Sequence, residues 1–148
     1  MRLLLEAGCD KDKAIQSGET PAFMAAQEGQ ADCLRLLIEA GCDKDKACED
    51  GATPAFIAVQ NGHADCLRLL LEMGCDKDKA MQGGMTPAFI AAGEGHAHCL
   101  RLLLEAGCDQ DKANETGVTP AFIAAHNGHA DCLRLLEEAG SKNGAFLG

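Results

Sequence analysis

Thr20-Pro21-Ala22-Phe23 reads as the start of a helix, and the same four residues return at Thr53, Thr86 and Thr119. Threonine at a cap position can accept a backbone N–H. Proline at the first helical position lacks only a donor that would have no partner there. The run from Ala22 to Glu28 continues the helix, and Gly29 ends it, as a left-handed C-terminal glycine does. A second helix is predicted from near Gln30-Ala31-Asp32, with Asp32 in the first turn, where the helix dipole favours negative charge. Cys33, Leu36, Leu37 and Ala40 lie at i, i+3, i+4 and i+7 and predict its buried stripe, widened by Leu34 and Ile38. Arg35 and Glu39 project from the other side. Gly41 ends this helix, Cys42-Asp43-Lys44-Asp45-Lys46 forms a loop, and Ala14 to Thr20, with Gly18 among polar residues, forms a turn.

Everything in that unit recurs at one interval. Leu34-Arg35-Leu36-Leu37 returns at Leu67, Leu100 and Leu133, and Gly8, Gly41, Gly74, Gly107 and Gly140 keep the same 33-residue step. Neither helix is long enough to be stable alone in water. The units must therefore bury their apolar faces on one another, which is the condition of a stacked-repeat solenoid. The reading is a single domain over 1–148: a half unit at 1–13, then units at 14–46, 47–79, 80–112 and 113–145, the last with a polar C-terminal cap.

With the period, the Thr-Pro start and the helix–turn–helix–loop plan in hand, the chain resembles the ankyrin-repeat family. The second full unit carries the resemblance in Gly51-Ala52-Thr53-Pro54-Ala55-Phe56-Ile57-Ala58-Val59, then Gly62-His63, Leu69-Leu70-Leu71 and Gly74-Cys75-Asp76. It implies an all-α solenoid in which turns project as a row of β-turn fingers and first helices line a concave face. It also implies binding of other proteins there, and no enzyme activity. Two departures are visible. Ala22-Phe23 stands where the family has Leu-His, so phenylalanine packing must replace the bonding of that histidine to threonine. Lys44 and Lys77 stand where the family often has an apolar residue, which predicts looser, more solvated packing between loops.

The 148 residues carry a formal net charge of −10, with 47% hydrophobic residues and no Trp or Tyr. That charge argues against nucleic acid and against anionic membranes, and it permits a basic protein partner. No apolar run approaches the ~20 residues of a membrane-spanning helix. Nine cysteines suggest disulfides until they are placed in columns: Cys33, Cys66, Cys99, Cys132 and Cys9, Cys42, Cys75, Cys108, with Cys48 alone. Packed helices stand roughly 8–10 Å apart, too far for bridges within a column. Reduced thiols in a reducing, intracellular compartment such as the cytoplasm are expected.

No cofactor or metal is expected. The cysteines lack the close pairing of zinc ligands. In His96-Ala97-His98-Cys99, His96 belongs to the Gly-His column with His63 and His129, and only His98 is new. The Asp-Lys-Asp-Lys runs lack the Gly and final Glu of a calcium loop and read as solvated. No nucleophile–base set or phosphate loop is present in the sequence.

Comparison of the units separates scaffold from surface. The turn positions change freely: Ile15, Gln16, Ser17 and Glu19; Cys48, Glu49, Asp50 and Ala52; Met81, Gln82 and Met85; Asn114, Glu115, Thr116 and Val118. So do the first-helix ends at Gln27, Gln60 and His126. These are the candidate partner-binding residues. Their variation reads either as a partner's footprint or as drift in unconstrained loops. Three functions follow: a protein-interaction module, a structural spacer within a longer array, or a thiol sensor. At the ends, Glu137 replaces Leu5, Ile38, Leu71 and Leu104, and Ser141 replaces the loop cysteine, which predicts a wettable C-terminal face with Phe146 as an anchor. Met1 falls inside a unit, and Leu3 and Leu4 show apolar surface outward. A longer array, or self-association through that end, is the expectation.

Overall fold

The computed structural model describes residues 12–144, with side chains to residue 140. The half unit at 1–13 therefore falls almost wholly outside the described residues, as does Phe146, and the side chain of Ser141 is not described. Eight helices follow one another among the described residues: α1 Pro21–Glu28, α2 Ala31–Glu39, α3 Pro54–Gln60, α4 Ala64–Glu72, α5 Pro87–Glu94, α6 Ala97–Glu105, α7 Pro120–His126 and α8 Ala130–Gly144. Each odd-numbered helix pairs with the even one after it, and the pairs stack. First helices pack more extensively on one another than second helices do. The α1, α3, α5 and α7 helices therefore form the more tightly packed layer of the stack.

The Thr-Pro starts behave as the sequence predicts. Oγ1 of Thr20, Thr53 and Thr86 each accepts the N–H of the phenylalanine three residues on at 3.1 Å, and Thr119 does so at 3.2 Å. Three of these threonines are fully buried. A buried hydroxyl without a partner would be costly, so the bond is a condition of burial there. Gly29 closes α1 with φ 74°, a conformation that any side chain would resist.

The core differs from the predicted stripe in detail. Leu34 and Leu37 are buried, but Cys33 and Leu36 are only half-buried and Ala40 is exposed. Leucines of the same columns, Leu67, Leu70, Leu100 and Leu103, are sealed completely. Each second helix is packed by its own first helix and by at least one neighbouring unit among the described residues. The buried arc therefore centres between those contacts, and helical spacing alone does not locate that centre.

The exposed loops are tied together through their aspartates. Oδ1 of Asp12 accepts the N–H of Asp43 at 2.8 Å, Oδ1 of Asp45 that of Asp76 at 2.9 Å, and Oδ1 of Asp78 that of Asp109 at 2.9 Å. Within each loop the first aspartate accepts the N–H two residues on, as Asp43 does from Asp45 at 3.0 Å. One aspartate thus shapes its own loop and the next reaches across to the following unit. In the last loop, Gln110 takes the column of Lys44 and Lys77, and its Nε2 donates to the Leu136 carbonyl at 2.8 Å, fastening the loop to α8.

Candidate functional site

The fingers are built by backbone bonds and are joined to one another. In each, the residue at its base donates to the carbonyl four positions on: Ile15 to Glu19, Cys48 to Ala52, Met81 to Met85 and Asn114 to Val118, at 2.9–3.1 Å. Neighbouring fingers then share one backbone bond each: Glu49 N–H to the Ser17 carbonyl at 3.1 Å, Gln82 to Asp50 at 2.8 Å and Glu115 to Gly83 at 2.9 Å. The row of tips is therefore a registered surface.

The varied residues divide between that surface and its supports. Gln16, Glu49, Asp50, Gln82, Glu115 and Thr116 are exposed, and Ile15 is 59% exposed. Ser17 is half-buried and donates its hydroxyl to half-buried Glu19 at 2.9 Å. Oδ1 of half-buried Asn114 accepts from the N–H groups of Thr116 and Val118, both at 3.0 Å, and so braces the fourth finger. Ala52 is not a surface residue. It is 4% exposed and lies in a small apolar cluster with Phe23 and Phe56. Met81 and Met85, paired across one finger, pack half-buried against that cluster with Cys48. The apolar side chains of this finger thus already meet their own chain. Val118 is also half-buried. The buried phenylalanines fill the place where the resemblance implied a histidine.

Behind the fingers, each first helix turns one stripe outward at i, i+3 and i+4. In α1 it is Met24, Gln27 and Glu28, and in α3 it is Ile57, Gln60 and Asn61. The first column, Met24, Ile57, Ile90 and Ile123, is apolar throughout. Sequence reading passed over it, although its constant phase and constant apolarity were the available signal. In the next column, the carbonyls of Gln27, Gln60 and Gly93 accept from Nε2 of His63, His96 and His129 at 3.0–3.1 Å. The Gly-His histidines therefore fasten units together, and His96 spends that nitrogen on Gln60. His98 instead lies 3.2 Å from Nη2 of Arg68. Exposed His126 stacks on Phe122, centroids 6.2 Å apart and planes within 8°.

Burial pushes Cys75 and Cys99 up to about 11 and Cys108 to about 12, so none is a ready thiolate. Cys48, outside the columns, is raised by burial and by donation to the Asp50 carboxylate at 2.7 Å. The same bond holds the Asp50 carboxyl below its ordinary value. At the C-terminal side Glu137 is exposed, but Phe122 is 59% exposed as well, whereas Phe56 in the same column is 1% exposed. That face is therefore polar along α8 and apolar along α7. Among the described residues no helix is long and apolar enough to cross a membrane.

Paired helices, linked fingers and fastening histidines repeat with the sequence period. The chain matches the family model of ankyrin repeats (3 copies) over residues 1–81 and over residues 73–145. No curated protein matches it. On the match, which spans nearly the whole length, and on a stack that realises it helix by helix, the chain belongs to the ankyrin-repeat family.

Proposed function

We propose that this chain binds a partner protein on one continuous surface, made of the finger tips and the outward stripe of the first helices. Ankyrin repeats are generally protein–protein interaction modules. The observation that carries the reading is the coincidence of variation with exposure. Residues that set the backbone stay constant from unit to unit, while Gln16, Glu49, Asp50, Gln82, Glu115 and Thr116 change and face solvent along one registered row. A rigid scaffold that presents changeable side chains is the usual arrangement for recognition.

The test is proximity capture in the native cell with the chain and with its Ile57→Ser/Ile90→Ser variant. A partner that uses this face is recovered with the first and lost with the second. Equal recovery with both would reject the face.

A further inference from the structure

The charge of this chain is divided between its two layers. The finger and first-helix segments, residues 14–30, 47–63, 80–96 and 113–129, hold Glu19, Glu28, Glu49, Asp50, Glu94 and Glu115 and not one Lys or Arg. Every Lys and Arg lies in the second-helix and loop segments, where 13 bases offset most of 17 acids. Six of the ten net negative charges thus sit on the layer proposed to bind. None of the six pairs with a Lys or Arg among the described residues. The Glu19 carboxylate accepts from the Ser17 hydroxyl, and the Asp50 carboxylate accepts from Cys48 and the Ala52 N–H. Through the same layer runs the apolar column of Met24, Ile57, Ile90 and Ile123. Met24 is 37% exposed and the three isoleucines are half-buried.

From this division we infer that the partner presents a cationic amphipathic helix, its apolar side on the isoleucine column and its Lys or Arg side chains among the finger carboxylates. The inference rests on the proposed binding face and adds the chemistry of what it takes. An acidic segment there would meet unscreened like charge from several fingers, which costs affinity and slows encounter. A cationic one is steered toward the face and exchanges water for carboxylates that have no other cation to meet. Spacing agrees as well. Units stacked at roughly 8–10 Å present one residue of this apolar column each. A helix rises 1.5 Å per residue, so apolar residues seven apart recur at about 10.5 Å. One heptad position can therefore meet successive units.

The test uses two synthetic 21-residue peptides titrated into the whole chain by fluorescence anisotropy. One repeats Leu-Lys-Lys-Leu-Leu-Lys-Leu, and the other carries Glu in place of each Lys. The Lys peptide should bind, more weakly as salt is raised, and the Glu peptide should not. Glu49→Lys/Asp50→Lys should weaken binding by roughly tenfold. Glu39→Lys/Glu72→Lys, the same charge change on exposed second-helix positions, should alter it by less than about threefold. Ile57→Ser/Ile90→Ser should abolish it. Because that pair also loosens packing, Met24→Ser, at a side chain already part-exposed, should weaken binding in a chain whose melting is unchanged. Equal binding of both peptides, or equal losses from the two charge-reversed pairs, would overturn the inference. If the serine pair loses the cellular partner while the Lys peptide fails to bind, the cationic assignment falls and the binding face stands. If capture ignores the serine pair, the face itself falls.

Discussion

The imidazole of His63 packs against Gly29 of the preceding unit so closely that a Cβ on that glycine would lie 2.8 Å from the ring, while Nε2 of the same ring meets the Gln27 carbonyl at 3.1 Å. Helix ending and unit stacking are thus joined at one point. Gly29 has φ +74° and is also the only residue small enough for the ring. Gly128 has φ +76° with nothing near its absent Cβ. Comparison of the two isolates the packing. Gly128→Ala should cost only the left-handed backbone term, about 1–2 kcal/mol. Gly29→Ala should cost that and a further 1–3 kcal/mol or so for displacing the ring. Urea unfolding midpoints give both values.

The loop aspartates should behave as inter-unit fasteners. Asp45→Ala and Asp78→Ala each remove an acceptor for a backbone N–H one unit on, and should each cost about 1 kcal/mol. Asp45→Asn keeps an oxygen at the same place and should cost less. Asp111→Ala occupies the same column in the last loop, where no such bond is formed among the described residues, and should be close to neutral. Thermal melts of the four variants check the ordering.

The phenylalanine column should be strongly uneven. Phe56→Ala empties a sealed site and should cost about 3–5 kcal/mol. Phe122→Ala changes a side chain that is mostly in water and should cost well under about 1 kcal/mol. Denaturant titration of both variants is enough to compare them.

Stability should fall at alkaline pH because of the buried thiols. Cys75 and Cys99 have folded values of about 11 and Cys108 about 12, against an ordinary 9.0. Below pH 9 both folded and unfolded thiols are protonated and the cysteines exert no pH effect. Above it the unfolded chain loses protons first, so stability declines by about 1 kcal/mol per pH unit per thiol until the folded values are passed. Cys75→Ala/Cys99→Ala should flatten the decline between pH 9 and 11 while leaving the behaviour near neutrality unchanged in slope.

Much of this architecture was legible because repetition exposes it. Thr20-Pro21 and Gly29 mark helix ends through local backbone chemistry, and local chemistry is what sequence displays. The loop aspartates escaped because their partners are backbone N–H groups 31 residues away, which no side-chain pattern announces. Their constant phase was the only trace. Leu34 was placed at the margin of the stripe and Leu36 at its centre, whereas Leu34 is sealed and Leu36 half-buried, because contacts from a neighbouring unit shift the centre of the buried arc. Ala52 was taken for a tip because its neighbours Glu49 and Asp50 are tips. The finger bond from Cys48 to the Ala52 carbonyl turns that residue inward. The isoleucine column was overlooked because each member looks like core within its own helix, and only the stack shows that all four line one outer stripe.

Amide chemical-shift mapping of the captured partner on the isotopically labelled chain is the most direct test of the central claim, that recognition lies on the finger and first-helix layer. The account predicts shifts at Gln16, Glu49, Gln82 and Glu115 and along Met24, Ile57, Ile90 and Ile123, with Arg35, Arg68, Arg101 and Arg134 of the second helices silent. Shifts concentrated on those arginines, with the fingers unmoved, would contradict it.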